Sequence, residues 1–127
     1  MHIDHLAIWT ADLEKEKDFY IKYFDCSVNE KYVNPKKKFS SYFISFPGGA
    51  RIELMKSDDI TGERGVETLG IAHFALDTGS RERVDKLTAT MENEGHPVIS
   101  RPRITGDGYY ESVVLDPEGN VIELISK

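Results

Sequence analysis

The sequence predicts an α+β fold in which two βαβββ modules form a cupped mixed sheet. Three observations indicate this fold. An alternating, strand-forming segment opens each half of the chain, an amphipathic helical segment follows it, and three further strand-forming segments close each half. At 127 residues the chain has the size of a single domain. Within it, module 1 extends over about 1–60 and module 2 over about 69–127.

The first module opens with the strand segment "MHIDHLAIW", after which Asp12 is placed to cap a helix over "LEKEKDFYIKYF". The apolar side of that helix packs on a sheet and consists of Leu13, Phe19, Tyr20, Tyr23 and Phe24. Single strands are expected at "SVNEKYV", "FSSYFISF" and "ARIELM", because the turn-forming segments "NPKKK" and "PGG" separate them.

The second module repeats this order from Gly70 onward. A buried strand is predicted at "IAHFAL", and a helix over "SRERVDKLTATMENEG" follows, with Ser80 as its cap and Gly95 as its stop. The expected apolar stripe of this helix is Val84, Leu87 and Met91. Strands follow at "PVISR", "YYESVVL" and "NVIELI", joined by the turns "TGDG" and "DPEG".

The charge balance excludes some classes of partner. A net charge of −6 argues against a nucleic acid or an anionic membrane, because both require a clustered positive surface. Small molecules or a second copy of the chain are the expected partners. Cys26 is the only cysteine, and the sequence shows no signal peptide or membrane-spanning stretch, so we expect the protein in the cytoplasm.

A histidine and a glutamate recur at matching places in the two halves. His73 lies 68 residues after His5, and Glu123 lies 70 residues after Glu53. Each histidine belongs to the first strand of its half and each glutamate to the last, so strand alternation allows all four side chains to face one cup. Two imidazoles and two carboxylates in an apolar cup are costly unless a cation satisfies them. The four positions therefore predict a divalent metal site.

Each of these residues also has a simpler interpretation. A lone histidine in an apolar strand is commonly a hydrogen-bonded core residue, and a glutamate in "IEL" is commonly the solvent-facing member of a strand. The match at four repeated positions favours the metal site over these interpretations. His2 and His96 lack that context and are expected at the surface, and Lys36–Lys38 are expected in a solvated loop, with an anionic substrate as the alternative.

Three segments resemble the glyoxalase I branch of the vicinal-oxygen-chelate superfamily over essentially the whole chain. These are "DHLAIWTADLEKEKDFYIKYFD", the restart "IAHFAL" and the closing "DPEGNVIEL". The resemblance implies two βαβββ modules around a divalent metal. It also implies a homodimer, and the modules of this superfamily pair either within one chain or across two.

The four ligand positions distinguish the branches of this superfamily. The resemblance implies His, Glu, His and Glu for glyoxalase I of the bacterial type, and this chain has His5, Glu53, His73 and Glu123. Extradiol dioxygenases and fosfomycin-modifying members lack a glutamate ligand in the second position, and methylmalonyl-CoA epimerases have glutamine there. An epimerase or isomerase acting on another 2-hydroxy or 2-oxo compound stays open, as does a metal-free binding protein for bleomycin-type compounds.

Glyoxalase I chemistry is what the resemblance implies for this site. Such an enzyme converts the hemithioacetal of methylglyoxal and a thiol into a thioester by moving a proton between adjacent carbons through an enediolate, whose negative charge a divalent metal stabilises. Glu123 is expected to act as the base, with Glu53 as its symmetry mate. The mixed nitrogen and oxygen ligands suit Ni²⁺, Co²⁺ and Zn²⁺ alike.

The chain departs from this family at two positions that bind the thiol co-substrate. Glutathione-using bacterial enzymes carry an arginine four residues after the first histidine and an asparagine four residues after the first glutamate, where this chain has Trp9 and Ser57. Both are candidate substrate contacts, and Trp9 could equally pack beside the cup. Arg101 and Arg103 are candidate contacts for an acidic substrate tail. The thiol co-substrate therefore stays open.

Overall fold

The computed structural model describes residues 3–62, 71–106 and 108–127. Over these residues the chain forms nine strands and two α-helices, in two sheets, which confirms the α+β class. Their order is β1 (His5–Trp9), α1 (Leu13–Tyr23), β2 (Ser27–Val28), β3 (Tyr32–Asn34), β4 (Phe39–Ser45), β5 (Arg51–Ser57), β6 (Phe74–Asp77), α2 (Arg81–Asn93), β7 (Val98–Ile104), β8 (Tyr110–Leu115) and β9 (Val121–Ser126).

The chain divides into two compact units, Met1–Glu63 and Arg64–Lys127, each with one sheet and one helix. Gly70, where the second module was expected to begin, and His2 lie outside the described residues. Of the two helices in the described part of the chain, neither has the length and apolar character that crossing a membrane requires.

The sheet of the first unit has the order β1-β5-β4-β2, with β3 also paired to β4. Strand β1 runs parallel to β5, and the other pairs are antiparallel. Helix α1 begins as predicted, because the Asp12 side chain accepts a hydrogen bond from the backbone N–H of Lys15. The helix packs on β4 and β5, and the residues buried between helix and sheet include Leu13, Phe19, Tyr20, Ile44 and Leu54.

The prediction of a single strand over "SVNEKYV" is wrong, because the structure has β2 and β3 there. The two strands pair with β4 in different registers, Val28 opposite Ile44 and Tyr32 opposite Ser41. Between them, the Asn29 side chain accepts a hydrogen bond from the backbone N–H of Phe43 at 2.7 Å. The Asn29 side chain thus accepts a backbone N–H that a strand carbonyl would otherwise accept, and the strand predicted over "SVNEKYV" is interrupted at this point.

The sheet of the second unit has the order β6-β9-β8-β7, with β6 parallel to β9. Helix α2 begins after Ser80, whose side chain accepts a hydrogen bond from the backbone N–H of Arg83. The predicted apolar stripe is partly wrong: Leu87 is only half-buried, whereas Thr88 is buried. The Thr88 hydroxyl donates to the backbone carbonyl of Val84 and lies 2.6 Å from the Ser112 hydroxyl, so hydrogen bonds allow its burial.

In each unit the helix covers one face of the sheet, and the histidine lies on the other face. Residues exposed on β1 alternate with half-buried ones, and His5 is among the exposed residues. The prediction of a buried strand at "IAHFAL" is therefore wrong for the His73 side chain, which is 45% exposed, since period-2 alternation turns it away from the helix. His73 also precedes β6, which begins at Phe74.

Candidate metal centre

The first unit brings His5 and Glu53 together on the face of its sheet opposite α1. Strands β1 and β5 pair in parallel with Ala7 beside Glu53, so the side chains of His5 and Glu53 point to the same side. The His5 Nε2 atom lies 3.8 Å from Glu53 Oε2. Their side chains are 39% and 16% exposed, respectively, which leaves the pair accessible from this open face.

The Asp4 carboxylate contacts both the His5 ring and Arg51. The Asp4 carboxylate lies 2.9 Å from His5 Nδ1, and it also accepts a hydrogen bond from the guanidinium of Arg51. The hydrogen bond with His5, followed by that from Arg51, lowers the pKa of Asp4 below its ordinary value. The carboxylate therefore stays ionised at neutral pH and is the hydrogen-bond partner of Nδ1, while Nε2 faces Glu53.

The second unit contains the equivalent pair, His73 and Glu123. The His73 Nε2 atom lies 3.3 Å from Glu123 Oε2, and the side chains are 45% and 22% exposed. Ala75 pairs with Glu123 between β6 and β9, in the same register as Ala7 with Glu53. The repeated histidine and glutamate of the sequence thus form one pair in each unit.

The turn between β8 and β9 fixes the position of Glu123. The buried Asp116 carboxylate accepts hydrogen bonds from the backbone N–H groups of Glu118 and Asn120 and from the Asn120 side chain, at 2.7–3.1 Å. Gly119 has a φ of 82°, which favours glycine, and its N–H donates to the Asp116 carbonyl. This closed turn sets the register in which Val113 pairs with Glu123.

Each pair fits one half of a metal-ligand set. Two donors that bind one ion at about 2.1 Å in adjacent octahedral positions lie about 3.0 Å apart, and the separations in the two pairs, 3.8 and 3.3 Å, are wider than this. An imidazole nitrogen and a carboxylate oxygen are also donors that Ni²⁺, Co²⁺ and Zn²⁺ accept. The described residues of either unit contain no group of three or more possible ligands, so a single pair falls short of a complete site.

Trp9 and Ser57 lie on the same face as Glu53. Trp9 pairs with Met55 and Ser57 with Phe39, and alternation along β5 places Met55 and Ser57 beside Glu53 on this face. Trp9 is 46% exposed, and its ring meets the edge of Phe39 at a centroid distance of 6.2 Å. The structure therefore brings both predicted contacts to the open face of the first unit.

The side chains of Arg101 and Arg103 lie on opposite faces of the sheet, although both residues belong to β7. The Arg101 guanidinium binds Glu92 of α2, on the helix side of the sheet. Arg103 pairs with Glu111, at 3.1 Å, and Glu111 lies opposite Ile125, which shares a face with Glu123. Register shifts in β7 before Arg103 separate the two arginines. Arg103 alone of the two lies on the face of Glu123.

Sequence reasoning missed Asp4, Arg51 and Glu111 as neighbours of the predicted site residues. A signal was present for Arg51, because it stands two residues before Glu53 on the same strand face. Glu111 gave no such signal, since the β7 irregularity decides which residue it pairs with.

The chain is similar to known proteins over nearly its whole length. Residues 2–124 match the Glyoxalase/Bleomycin resistance protein/Dioxygenase superfamily. No curated protein matches the chain.

Solved structures share its fold. Glyoxalase I from Leishmania major, described as trypanothione-dependent, is 24% identical with a TM-score of 0.80, over 99% of this chain and 86% of that one. A mutant of glyoxalase I from Zea mays is 23% identical with a TM-score of 0.81; the match covers 99% of this chain but only 44% of the maize chain. A glyoxylase/bleomycin resistance protein/dioxygenase domain from Frankia sp. EAN1pec is 17% identical with a TM-score of 0.85, over 99% and 97% of the two chains.

Proposed function

Since the chain belongs to the glyoxalase/bleomycin resistance protein/dioxygenase superfamily, we propose that it is a metal-dependent isomerising lyase of the lactoylglutathione lyase type. Its substrate is the hemithioacetal of methylglyoxal and a thiol, and its product is a 2-hydroxyacyl thioester. The observation that supports this proposal is the matched pair of donors on the open sheet face of each unit, His5 with Glu53 and His73 with Glu123. The enzyme acts in the cytoplasm as a homodimer.

The four residues of the two pairs hold one divalent ion in this proposal. Members of the superfamily typically bind such an ion, and each pair has the donor types of two adjacent ligands. When bound, Ni²⁺, Co²⁺ or Zn²⁺ supplies positive charge that stabilises the enediolate oxygens.

Glu123 is the proposed base. Its carboxylate accepts the proton from the carbon that bears the sulfur and returns it to the neighbouring carbon, while the hydroxyl proton passes to the neighbouring oxygen, so the substrate is isomerised with no net gain or loss of atoms. Glu53 occupies the matching position in the first unit, and in this proposal it is the symmetry mate that exchanges a proton on the opposite face of the substrate. The partial exposure of both carboxylates keeps them accessible to a small molecule.

The substrate contacts follow from the open faces. In this proposal Trp9 and Ser57 contact the thiol portion beside Glu53, and neither can form the charge-assisted clamp on a carboxylate that an arginine forms. Arg103, which pairs with Glu111 on the face of Glu123, contacts an anionic group of the substrate. Arg101, held by Glu92, has the weaker geometry for this role.

Metal reconstitution tests the proposal. Purified protein that a chelator has freed of metal is expected to convert methylglyoxal and a thiol into thioester only after Ni²⁺, Co²⁺ or Zn²⁺ is restored, as measured by thioester absorbance. Glutathione and several smaller thiols are compared. The proposal fails if no combination of metal and thiol gives thioester above the uncatalysed rate.

Glu123→Gln tests the role of the proposed base. The amide neither accepts the proton nor replaces the carboxylate as a metal ligand, so kcat is expected to fall by about 100-fold or more. Glu92→Gln is the matched control: it makes the same chemical change on the helix side of the same unit, and its kcat is expected to stay within about twofold of the wild type. Equal losses in the two variants would contradict the assignment.

A further inference from the structure

Asp4 connects two side chains of the first unit through a single oxygen atom. Its Oδ2 atom lies 2.9 Å from His5 Nδ1 and 2.5 Å from Arg51 Nη2. The register supports this geometry, since His5 pairs with Arg51 across β1 and β5 and the Arg51 N–H donates to the Asp4 carbonyl. Both the backbone and the side chain of Arg51 therefore hold Asp4 beside the histidine.

Phe43 packs against both partners of this carboxylate. The Arg51 guanidinium lies 4.4 Å from the centroid of the Phe43 ring, and the His5 ring meets the same ring edge-on at 5.3 Å. Phe43 also lies opposite Glu53 in the β4–β5 pair. The His5 ring is thus fixed by a hydrogen bond at Nδ1 and by packing on its side.

The acceptor at Nδ1 decides where the histidine carries its hydrogen. A carboxylate oxygen that already accepts from a guanidinium has only acceptor capacity, so Nδ1 of His5 must be the donor. The neutral ring then has its lone pair on Nε2, the atom that faces Glu53. Metal-bound histidines commonly owe their tautomer to such a carboxylate on the other nitrogen.

We propose that Asp4, held by Arg51, is a positioning residue that fixes His5 with its hydrogen on Nδ1 and its Nε2 lone pair directed at the ion. This inference rests on the proposed function for the identity of the ion. It also distinguishes the two units, because the repeat places Ala72 where the first unit has Asp4 and Val121 where it has Arg51. The side chain of Ala72 is a methyl group, which cannot accept a hydrogen bond, so this carboxylate contact with a histidine belongs to the first unit.

Nitrogen NMR of the histidine rings in metal-free protein at alkaline pH tests the positioning directly. In the wild type, His5 is expected to give the signature of the Nδ1–H tautomer. In Asp4→Ala, the Nε2–H tautomer should become substantially populated, and the His73 ring should not change. Asp4→Asn is the conservative rescue, since its amide oxygen still accepts from Nδ1, and it is expected to keep the wild-type tautomer.

Nickel affinity, measured by competition with a chelator, is the second readout. Asp4→Ala is expected to weaken Ni²⁺ binding by about 10–100-fold, the usual effect of losing such a partner. Asp58→Asn removes the same charge from an exposed turn and is expected to leave both the affinity and the His5 tautomer unchanged.

The outcomes separate this inference from the proposed function. If Asp4→Ala keeps the wild-type tautomer, or binds Ni²⁺ as tightly as the wild type, the positioning role is overturned and the function stands. If the wild type binds no metal while its His5 tautomer depends on Asp4, the metal-dependent function is overturned and the control of the histidine by Asp4 stands.

Discussion

Trp9 gives the open face of the first unit its chemical character. The indole is 46% exposed on the face of Glu53, and its ring is perpendicular to that of Phe39. An indole offers apolar area and one N–H donor, so it favours an apolar or aromatic group over a carboxylate. Ser57 on the same face is similarly uncharged, and its hydroxyl accepts from the backbone N–H of Asp59.

Restoring the missing clamp is expected to change the preferred thiol. In the double variant Trp9→Arg with Ser57→Asn, kcat/KM for the glutathione hemithioacetal should rise about tenfold or more relative to that for the 2-mercaptoethanol hemithioacetal, because a guanidinium binds the γ-glutamyl carboxylate. Steady-state kinetics with both substrates measure the ratio.

Trp9→Leu with Ser57 unchanged is the control for this preference, since it removes the indole without adding charge. Its ratio is expected to stay near the wild-type value. A double variant with an unchanged ratio would show that these positions do not contact the thiol portion.

Single residues were predictable where alternation decides their direction. The side of Glu53 follows from its place in "RIELM", and the spacing of the repeat then indicated the two pairs. The bond between Asp4 and His5 was not predictable, because two adjacent residues of a regular strand point to opposite faces. Asp4 lies just before β1 begins, where that rule no longer holds.

The turn between β8 and β9 shows what the closing motif "DPEGNVIEL" does physically. Asp116 is 2% exposed, and three hydrogen bonds converge on its carboxylate, two from backbone N–H groups and one from the Asn120 side chain. The residue that makes the motif recognisable in the sequence therefore also closes the turn that carries Glu123 into register.

Asp116→Ala is expected to lower the free energy of unfolding by about 2–3 kcal/mol. The change leaves partly buried donors without their charged acceptor, and hydrogen bonds to charged groups contribute about 1.5–3 kcal/mol. Urea denaturation followed by circular dichroism measures the loss. Glu118→Ala in the same turn keeps all three donors and the acceptor, and it is expected to cost less than about 1 kcal/mol. Similar losses in both variants would refute this role for Asp116.

Helices were more predictable than strands at the level of elements. Asp12 and Ser80 cap α1 and α2 as expected, because a cap depends on residues close in sequence. The break between β2 and β3 depends on Asn29 reaching the backbone of a distant strand, which a local pattern does not contain. Thr88 was missed for the same reason, since its burial depends on Ser112.

The whole molecule repeats one arrangement in two units, each with a helix on one sheet face and a histidine–glutamate pair on the other. The repeat was predictable because insertions between the halves differ by only two residues. Whether four donors bind one ion depends on contacts between units, which strand alternation does not determine. The experiment at this scale must therefore tell whether the two pairs bind one ion together or bind separate ions.

Hydrogen exchange with Ni²⁺, compared between the wild type and Glu123→Gln, distinguishes a shared ion from two separate half-sites. At free Ni²⁺ about 100-fold above its dissociation constant, binding stabilises the folded state by about 2.7 kcal/mol. Amides that exchange through unfolding should then slow by about 100-fold in strands β1 and β5 as well as in β6 and β9. Exchange followed by mass spectrometry resolves these strands as separate peptides.

Glu123→Gln makes the distinction sharp, because it removes a donor from the second unit only. If one ion requires all four residues, the variant loses nickel-dependent protection in β1 and β5 too, although those strands are unchanged. Glu92→Gln, in the same unit but on the helix side, is expected to keep protection in both units. Protection that survives in the first unit of Glu123→Gln would mean that His5 and Glu53 bind nickel without Glu123. A centre that requires both carboxylates at one ion, and with it the proposed isomerase chemistry, would then be excluded.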